Sequence, residues 1–188
     1  MDPTEHHAIT ETRRWLERAV IGLNLCPFAR APHVAGRIHF RISDATSHDQ
    51  LLEHLFHALL DLSRADPDKQ ETTLLIIPDM LQDFVEFNDF LPLADAAIEG
   101  LELEGTLQIA SFHPAYRFAG TRADALENHT NRSPYPTLHL LRESSIDRAV
   151  ESMERTDDIY EANIATLKQL GRSGWDRLWE NNDDKPDE

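Results

Sequence analysis

Apolar side chains recur at helical spacing near the start of the chain. They predict a first helix over about residues 3–22, and they are Trp15, Leu16, Ala19, Val20 and Leu23. The segment Asp2-Pro3-Thr4-Glu5 fits its beginning, because it supplies an N-cap, a proline at the first helical position and a glutamate three residues after the cap. Pro27 pushes the preceding residue into extended geometry, so Cys26 is expected in a turn or an extended segment.

The middle of the chain switches between strand and helix patterns. Residues 37–43 alternate between apolar and polar positions as a strand does. Ser47 and Gln50 then form a capping box at the start of a helix with a continuous apolar face. A continuous apolar run at residues 72–77 is typical of a central strand that is covered on both faces.

The second half of the chain adds a helix, two strands and a pair of terminal helices. A helix is predicted over residues 83–100, interrupted or restarted near Pro92, because proline removes a helical hydrogen bond. Strands are predicted over residues 106–112 and 137–142.

The two terminal helices are predicted over residues 145–154 and 157–170. Thr156 is expected to cap the second of them and Gly171 to stop it.

The resulting order, α-βαβαββαα, predicts an α/β fold. We expect a single-domain layered sandwich in which helices pack on a mixed sheet of about four strands. Residues 1–175 are assigned to this domain, and residues 176–188 to an acidic, frayed tail.

Composition narrows the classes of function. The 188 residues carry a formal charge of −16, which argues against nucleic acids and anionic membranes as partners. The apolar stretches are far shorter than the roughly 20 residues of a membrane-spanning helix. With a single cysteine and a charged N-terminus in place of a secretory signal, a soluble, cytoplasmic protein is expected.

The acidic total conceals two segments of opposite sign. Residues 13–41 and residues 105–144 are net positive, whereas residues 42–104 and the C-terminal segment are strongly negative. One interpretation is a local positive potential that holds the carboxylate or phosphate of a small anionic metabolite. The alternative is a solvated basic helix face that pairs with the acidic middle of the chain.

A long loop, residues 113–136, carries most of the candidate chemistry. Loops of this length in compact domains are usually functional or disordered, and the aromatic residues Tyr116, Phe118 and Tyr135 argue against disorder. If the first three strands are parallel, His113 lies at their carboxyl ends, where open α/β sheets bind ligands. We therefore assign His113 as a candidate general acid or base.

The same loop holds the candidate anion-binding side chains. Arg132, flanked by Asn131 and Ser133, offers a guanidinium, an amide and a hydroxyl just before a strand, and Arg117 and Tyr116 are further candidates. Two charge-assisted hydrogen bonds of about 1.5–3 kcal/mol each are enough to hold a small anion. The asparagines can instead bond the backbone of the loop itself.

Cys26 and two histidines leave further alternatives open. Cys26 is either a nucleophile, if nearby cations lower its pKa, or a small buried hydrophobe. His113, His139 and Cys26 can also form a metal site for Zn or Fe, with Glu143 or Asp79 as a fourth ligand, although no short metal-ligand spacing occurs.

Three motifs resemble one family. They are Leu23-Asn24-Leu25-Cys26-Pro27-Phe28, His113-Pro114-x-Tyr116-x-Phe118, and the segment from Asn128 through Asn131-Arg132-Ser133-Pro134-Tyr135-Pro136 to Glu143. Between Trp15 and about Leu170 the chain is similar to the proteins grouped as domain of unknown function 1415. That resemblance implies no activity, cofactor or fold.

The residues therefore favour an enzyme that acts on a small anionic metabolite through an Arg/His/Cys pocket. The alternatives are a metal-binding protein and a non-catalytic interaction module that docks a partner through its acidic helices or the Trp175/Trp179 end. No cofactor, substrate or oligomeric state follows from the sequence.

Overall fold

A computed structural model describes residues 3–151 and 157–180 of the chain. Its sheet has four strands, β1 (Ile38–Ile42), β2 (Thr72–Ile76), β3 (Leu107–Phe112) and β4 (Thr137–Arg142). The spatial order is β1-β2-β4-β3. β1 and β2 pair in parallel, and β4 pairs antiparallel to both β2 and β3. The first three strands thus run in one direction, and the predicted mixed sheet is confirmed.

Helices surround this sheet. They are α1 (Pro3–Trp15), continued by a π-helix (Leu16–Ile21), then α2 (Arg30–Val34), α3 (His48–Arg64), α4 (Phe84–Gly100), a 3-10 helix (Leu126–Asn131), α5 (Glu143–Glu151) and α6 (Asp157–Arg177). The Ser47 side chain accepts from the backbone N–H of Gln50, as the capping box predicts. At the start of α4, the Asp83 side chain accepts from the backbone N–H groups of Val85 and Glu86.

Two apolar clusters, one on each face of the sheet, make up the core. α3 and α4 cover one face, where Leu75, Leu138 and Leu140 point from the central strands. The π-helix and α6 form the other cluster around Trp15 and Trp175. The three layers, helix on sheet on helix, confirm the α/β prediction. The 113–136 loop joins the end of β3 at Phe112 to the start of β4 at Thr137, at one edge of these layers.

Several local predictions are corrected by the structure. α4 runs through Pro92 without interruption. Pro92 and Asn88 are both exposed, so the carbonyl that loses its partner faces solvent, while Phe87, Phe90 and other apolar side chains hold the helix on the core. The short α2 was not predicted, because five residues are too few to show a period.

The C-terminal helices differ from the prediction in their ends. The backbone leaves helical geometry at Gly171 (φ 65°, ψ 174°), as the predicted stop requires, and a further helical stretch of α6 continues to Arg177. The predicted Thr156 cap and the Asp2 cap lie outside the described residues. Leu178 and Trp179, assigned from sequence to the frayed tail, pack on the second cluster, and Arg18 donates to the carbonyl of Leu178 at 2.7 Å.

Candidate functional site

The 113–136 loop is ordered by its own side chains. Asn128 is fully buried, and its Oδ1 accepts from the backbone of Phe118 at 3.0 Å and from the Thr121 hydroxyl at 2.8 Å. Its amide nitrogen donates to the carbonyl of Arg122 at 2.8 Å. Asn128 therefore serves the loop backbone, the second of the two roles that the sequence allowed for the asparagines.

His113 lies at the carboxyl end of β3, as the sequence predicts, but it is completely buried. Its Nε2 lies 3.0 Å from the carbonyl of Leu81, and its Nδ1 accepts from the backbone of Ala115 at 3.0 Å. The ring also packs between Phe84 and Phe87. Burial lowers the pKa of His113, so the neutral ring joins two loops with both of its nitrogens occupied.

A pocket of about 330 Å³ opens where α1, the 113–136 loop and the end of α6 meet. We call it the arginine–tryptophan pocket. Its polar wall consists of Glu11, Arg14, His129, Arg132 and Ser133. Its remaining wall consists of five ring side chains, namely Trp15, Pro114, Pro134, Trp175 and Trp179.

His129 forms part of the pocket wall from the 3-10 helix. The residue is 6% exposed, and its ring stacks on Trp175 with 4.3 Å between the ring centroids. Neither ring nitrogen has a hydrogen-bond partner within the described residues. Burial, followed by the positive charges of Arg132 and Arg172, lowers its pKa to about 4, so the ring is neutral at pH 7 and offers one donor and one acceptor.

Arg132 lies three residues after His129 and is held by the loop. Its Nε donates to the carbonyl of Tyr116 at 3.1 Å, and its Nη2 donates to the carbonyl of Ala123 at 2.6 Å. Within the described part of the chain, Nη1 donates no hydrogen bond. These bonds fix the guanidinium plane and leave part of its donor fork for another group.

The pocket is a region of positive charge in an acidic chain. Burial and the nearby Arg172 lower the pKa of Arg132, which shows that like charges are held close together. Arg14 donates to the carbonyl of Trp179 and lies 4.0 Å from Glu11, a distance at which the ion pair is weak. Arg132 and Arg172 therefore add positive potential beside this part of the wall.

The other loop candidates lie at different places. Ser133 lines the pocket, but its hydroxyl donates to the carbonyl of Tyr135 at 2.5 Å and can therefore only accept further bonds. Asn131 donates from its side chain to Ser111. Tyr116 packs on Phe84 and Phe118, and burial raises its pKa. Arg117 is exposed and lies outside the pocket wall.

Another cavity, of about 130 Å³, holds Cys26 and His139. Its wall is almost entirely apolar, and burial raises the pKa of the Cys26 thiol although the backbone N–H groups of Phe28 and Ala29 favour the thiolate. His139 is bonded to the Thr72 hydroxyl at 2.5 Å, and burial lowers its pKa to about 4. Cys26 is therefore protonated at pH 7, in surroundings that do not activate it.

The structure thus divides the predicted site into three places. Cys26 and His139 share the apolar cavity, Arg132 and Ser133 share the arginine–tryptophan pocket, and His113 lines neither. Among the residues that the structure describes, no group of three or more His, Cys, Asp or Glu side chains is arranged to hold a metal ion.

His129 and the tryptophans were the residues that sequence reasoning did not assign to the site. The 3-10 helix ends at Asn131, so His129 in its last turn and Arg132 at its C-cap lie close together and line the same pocket. Trp175 and Trp179, four residues apart, contact each other edge to face at 5.5 Å. Each spacing is visible in the sequence, but neither indicates a pocket without the fold.

Comparison with known proteins gives one match. The model of a family described as a protein of unknown function, DUF1415, matches residues 7–177. No curated protein and no solved structure matches the chain. None of the helices in the described part combines the length and apolar character that crossing a membrane requires.

Proposed function

Because the chain belongs to the DUF1415 family, whose function is unknown, we propose a function from the pocket itself: the protein binds a small anionic metabolite in the arginine–tryptophan pocket. The anion contacts the free side of Arg132 and the ring of His129. The strongly negative charge of the whole chain favours a small anion over a polyanion such as a nucleic acid.

The observation that carries this proposal is the buried, unpartnered ring of His129. A buried polar group without a partner costs about 1–3 kcal/mol, and most such groups in folded proteins are satisfied. Here both ring nitrogens lack a partner within the described residues, beside a guanidinium that retains free donors. A bound carboxylate or phosphate accepts a hydrogen bond from the N–H of this ring and another from the guanidinium.

The charges at His129 and Arg132 also support the binding of an anion. At pH 7 the neutral His129 ring donates one hydrogen bond, and Arg132 adds a charge-assisted bond; together they supply about 2–4 kcal/mol. A bound anion also offsets the positive field of Arg132 and Arg172, which raises the pKa of His129 from about 4. We therefore assign any proton transfer to or from the ligand to His129. His113 and Cys26 keep structural roles in this proposal.

The test is calorimetric titration of inorganic phosphate and acetate into the wild-type protein and into Arg132→Ala. Losing one charge-assisted bond weakens the binding of both anions about 10- to 100-fold. Arg122→Ala is the matched control, because Arg122 lies in the same loop, is exposed, and pairs with Asp124 at 3.0 Å instead of lining the pocket.

Two outcomes overturn the proposal. Either the wild-type protein binds no anion, or Arg132→Ala binds anions as tightly as Arg122→Ala does. Arg132 also bonds two loop carbonyls, so His129→Phe provides a second variant that keeps the stacking on Trp175 and removes both nitrogens. Unchanged anion affinity in His129→Phe likewise contradicts the proposal.

A further inference from the structure

The arginine–tryptophan pocket differs from the apolar cavity in what its wall is made of. Apart from its polar groups, it is lined by flat or rigid rings, three indoles and two pyrrolidines. Leucine, isoleucine, valine and methionine are missing from this wall, whereas the cavity at Cys26 is lined by several of them. Aromatic walls favour flat ligands, since ring pairs prefer stacked or edge-to-face contacts.

The rings are also held in place before any ligand binds. Trp175 is 8% exposed and is covered on one side by His129. Trp179 contacts the edge of Trp175, and Arg14 bonds its backbone carbonyl. A rigid wall loses little conformational entropy when it takes up a ligand.

The polar groups fit one anionic group better than the many hydroxyl groups of a sugar. Ser133 has already donated its hydroxyl hydrogen, and Glu11 is the carboxylate that lines the wall. The many hydroxyl groups of a sugar need paired donors and acceptors around the whole ring, and indole and pyrrolidine faces do not supply them. The wall instead offers free donors at Arg132, at His129 and at the indole nitrogen of Trp15.

From these observations we infer that the ligand is a carboxylate or phosphate carried on a planar aromatic or heteroaromatic ring. The anionic group binds Arg132 and His129, and the ring lies against Trp179 and its neighbours. This inference rests on the proposed anion binding and adds the chemical class of the ligand.

The test compares ligands that share a carboxylate and differ in the ring. Benzoate, cyclohexanecarboxylate, acetate and glucuronate are each titrated into the protein, and their affinities are compared. Cyclohexanecarboxylate has a similar size to benzoate but is not flat. Stacking contributes a factor of about 3–10, so benzoate is expected to bind that much more tightly than cyclohexanecarboxylate and glucuronate.

Trp179→Leu separates the ring contact from the anion contact. It removes the preference for benzoate over cyclohexanecarboxylate and leaves the affinity for acetate within about twofold. Tyr160→Leu is the matched control, because Tyr160 is an exposed aromatic residue of α6 that packs on Phe118 outside the pocket. Thermal unfolding of each variant verifies that it is folded, and Trp179→Phe, which keeps a flat ring, retains most of the preference.

The failure of this inference is distinct from the failure of the proposed function. Equal affinity for benzoate and cyclohexanecarboxylate, a preference for glucuronate, or an unchanged preference in Trp179→Leu overturns the aromatic ligand. Each of these results leaves anion binding intact if Arg132→Ala still weakens it. If neither a carboxylate nor phosphate binds the wild-type protein, both proposals fall.

Discussion

Replacing His113 by leucine tests whether this residue is structural or chemical. Leucine has a similar size and preserves much of the contact with Phe84 and Phe87, but it removes both hydrogen bonds of the ring. The carbonyl of Leu81 is then left without its donor in a residue that is 2% exposed. An unsatisfied buried acceptor costs about 1–3 kcal/mol.

The hydrogen bond from the Ala115 N–H to His113 contributes less to the loss of stability. Ala115 is exposed, so its N–H can bond water, and the net loss there is about 1 kcal/mol. Leu81 has a positive φ of 56°, which is costly for a residue with a side chain, and the bond from His113 helps to hold that turn. The sum is about 2–4 kcal/mol, or a decrease in Tm of about 4–16 °C for a chain of this size.

Urea and thermal unfolding of His113→Leu measure this loss. His57→Leu is the matched control, because His57 is exposed on α3, and it should change the stability by less than about 0.5 kcal/mol. Below its unfolding transition, His113→Leu should bind anions as the wild-type protein does. A variant that keeps the full stability but loses anion binding contradicts the structural role.

Further predictions concern the core and the apolar cavity. Arg142 donates to the carbonyls of Leu62, Ala65 and Gln70, in the last turn of α3 and the loop that follows it, so Arg142→Leu should lower the free energy of unfolding by about 3–5 kcal/mol in urea titrations. Because burial raises its pKa, Cys26 should react with iodoacetamide at pH 7 at least about tenfold more slowly in the folded protein than in urea; equal rates contradict its burial. His129 and His139 have pKa values of about 4, below the ordinary 6.5, so the unfolded chain takes up protons first as the pH falls. Stability should therefore be level above pH 6.5 and fall between pH 6.5 and 4, by up to about 3 kcal/mol for each residue, and a pH series of unfolding curves on His129→Phe should show a smaller fall than on the wild-type protein.

Regular elements were largely predictable because their signals are local. Alternation at residues 37–43 and the apolar run at residues 72–77 place β1 and β2 within one or two residues of where they lie. The direction of the strands was also predictable from the sequence. Right-handed βαβ crossovers make β1, β2 and β3 parallel and bring the 113–136 loop to their carboxyl ends. The π-helix at residues 16–21 has no such local signal.

The chemistry of individual side chains was less predictable, because it depends on contacts between distant segments. His113 and His129 occupy the same loop and look alike in sequence. The His113 ring bonds the carbonyl of Leu81, which is distant in sequence. The His129 ring stacks on Trp175, more than 40 residues away, and its nitrogens have no hydrogen-bond partner within the described residues. Arg132 was predicted as the anion-binding residue, and the structure supports that proposal with its free donor group and its place in the pocket wall.

The most direct test of anion binding at His129 is an NMR titration that observes the ring nitrogens of the ten histidines in protein labelled with 15N-histidine. Spectra of His129→Phe and His113→Leu assign the two decisive rings. We expect benzoate to shift the His129 ring signals toward the protonated form, while the His113 signals stay where they are. Saturating benzoate that leaves the His129 ring signals unchanged contradicts anion binding at this residue, as does a response confined to His113 or His139.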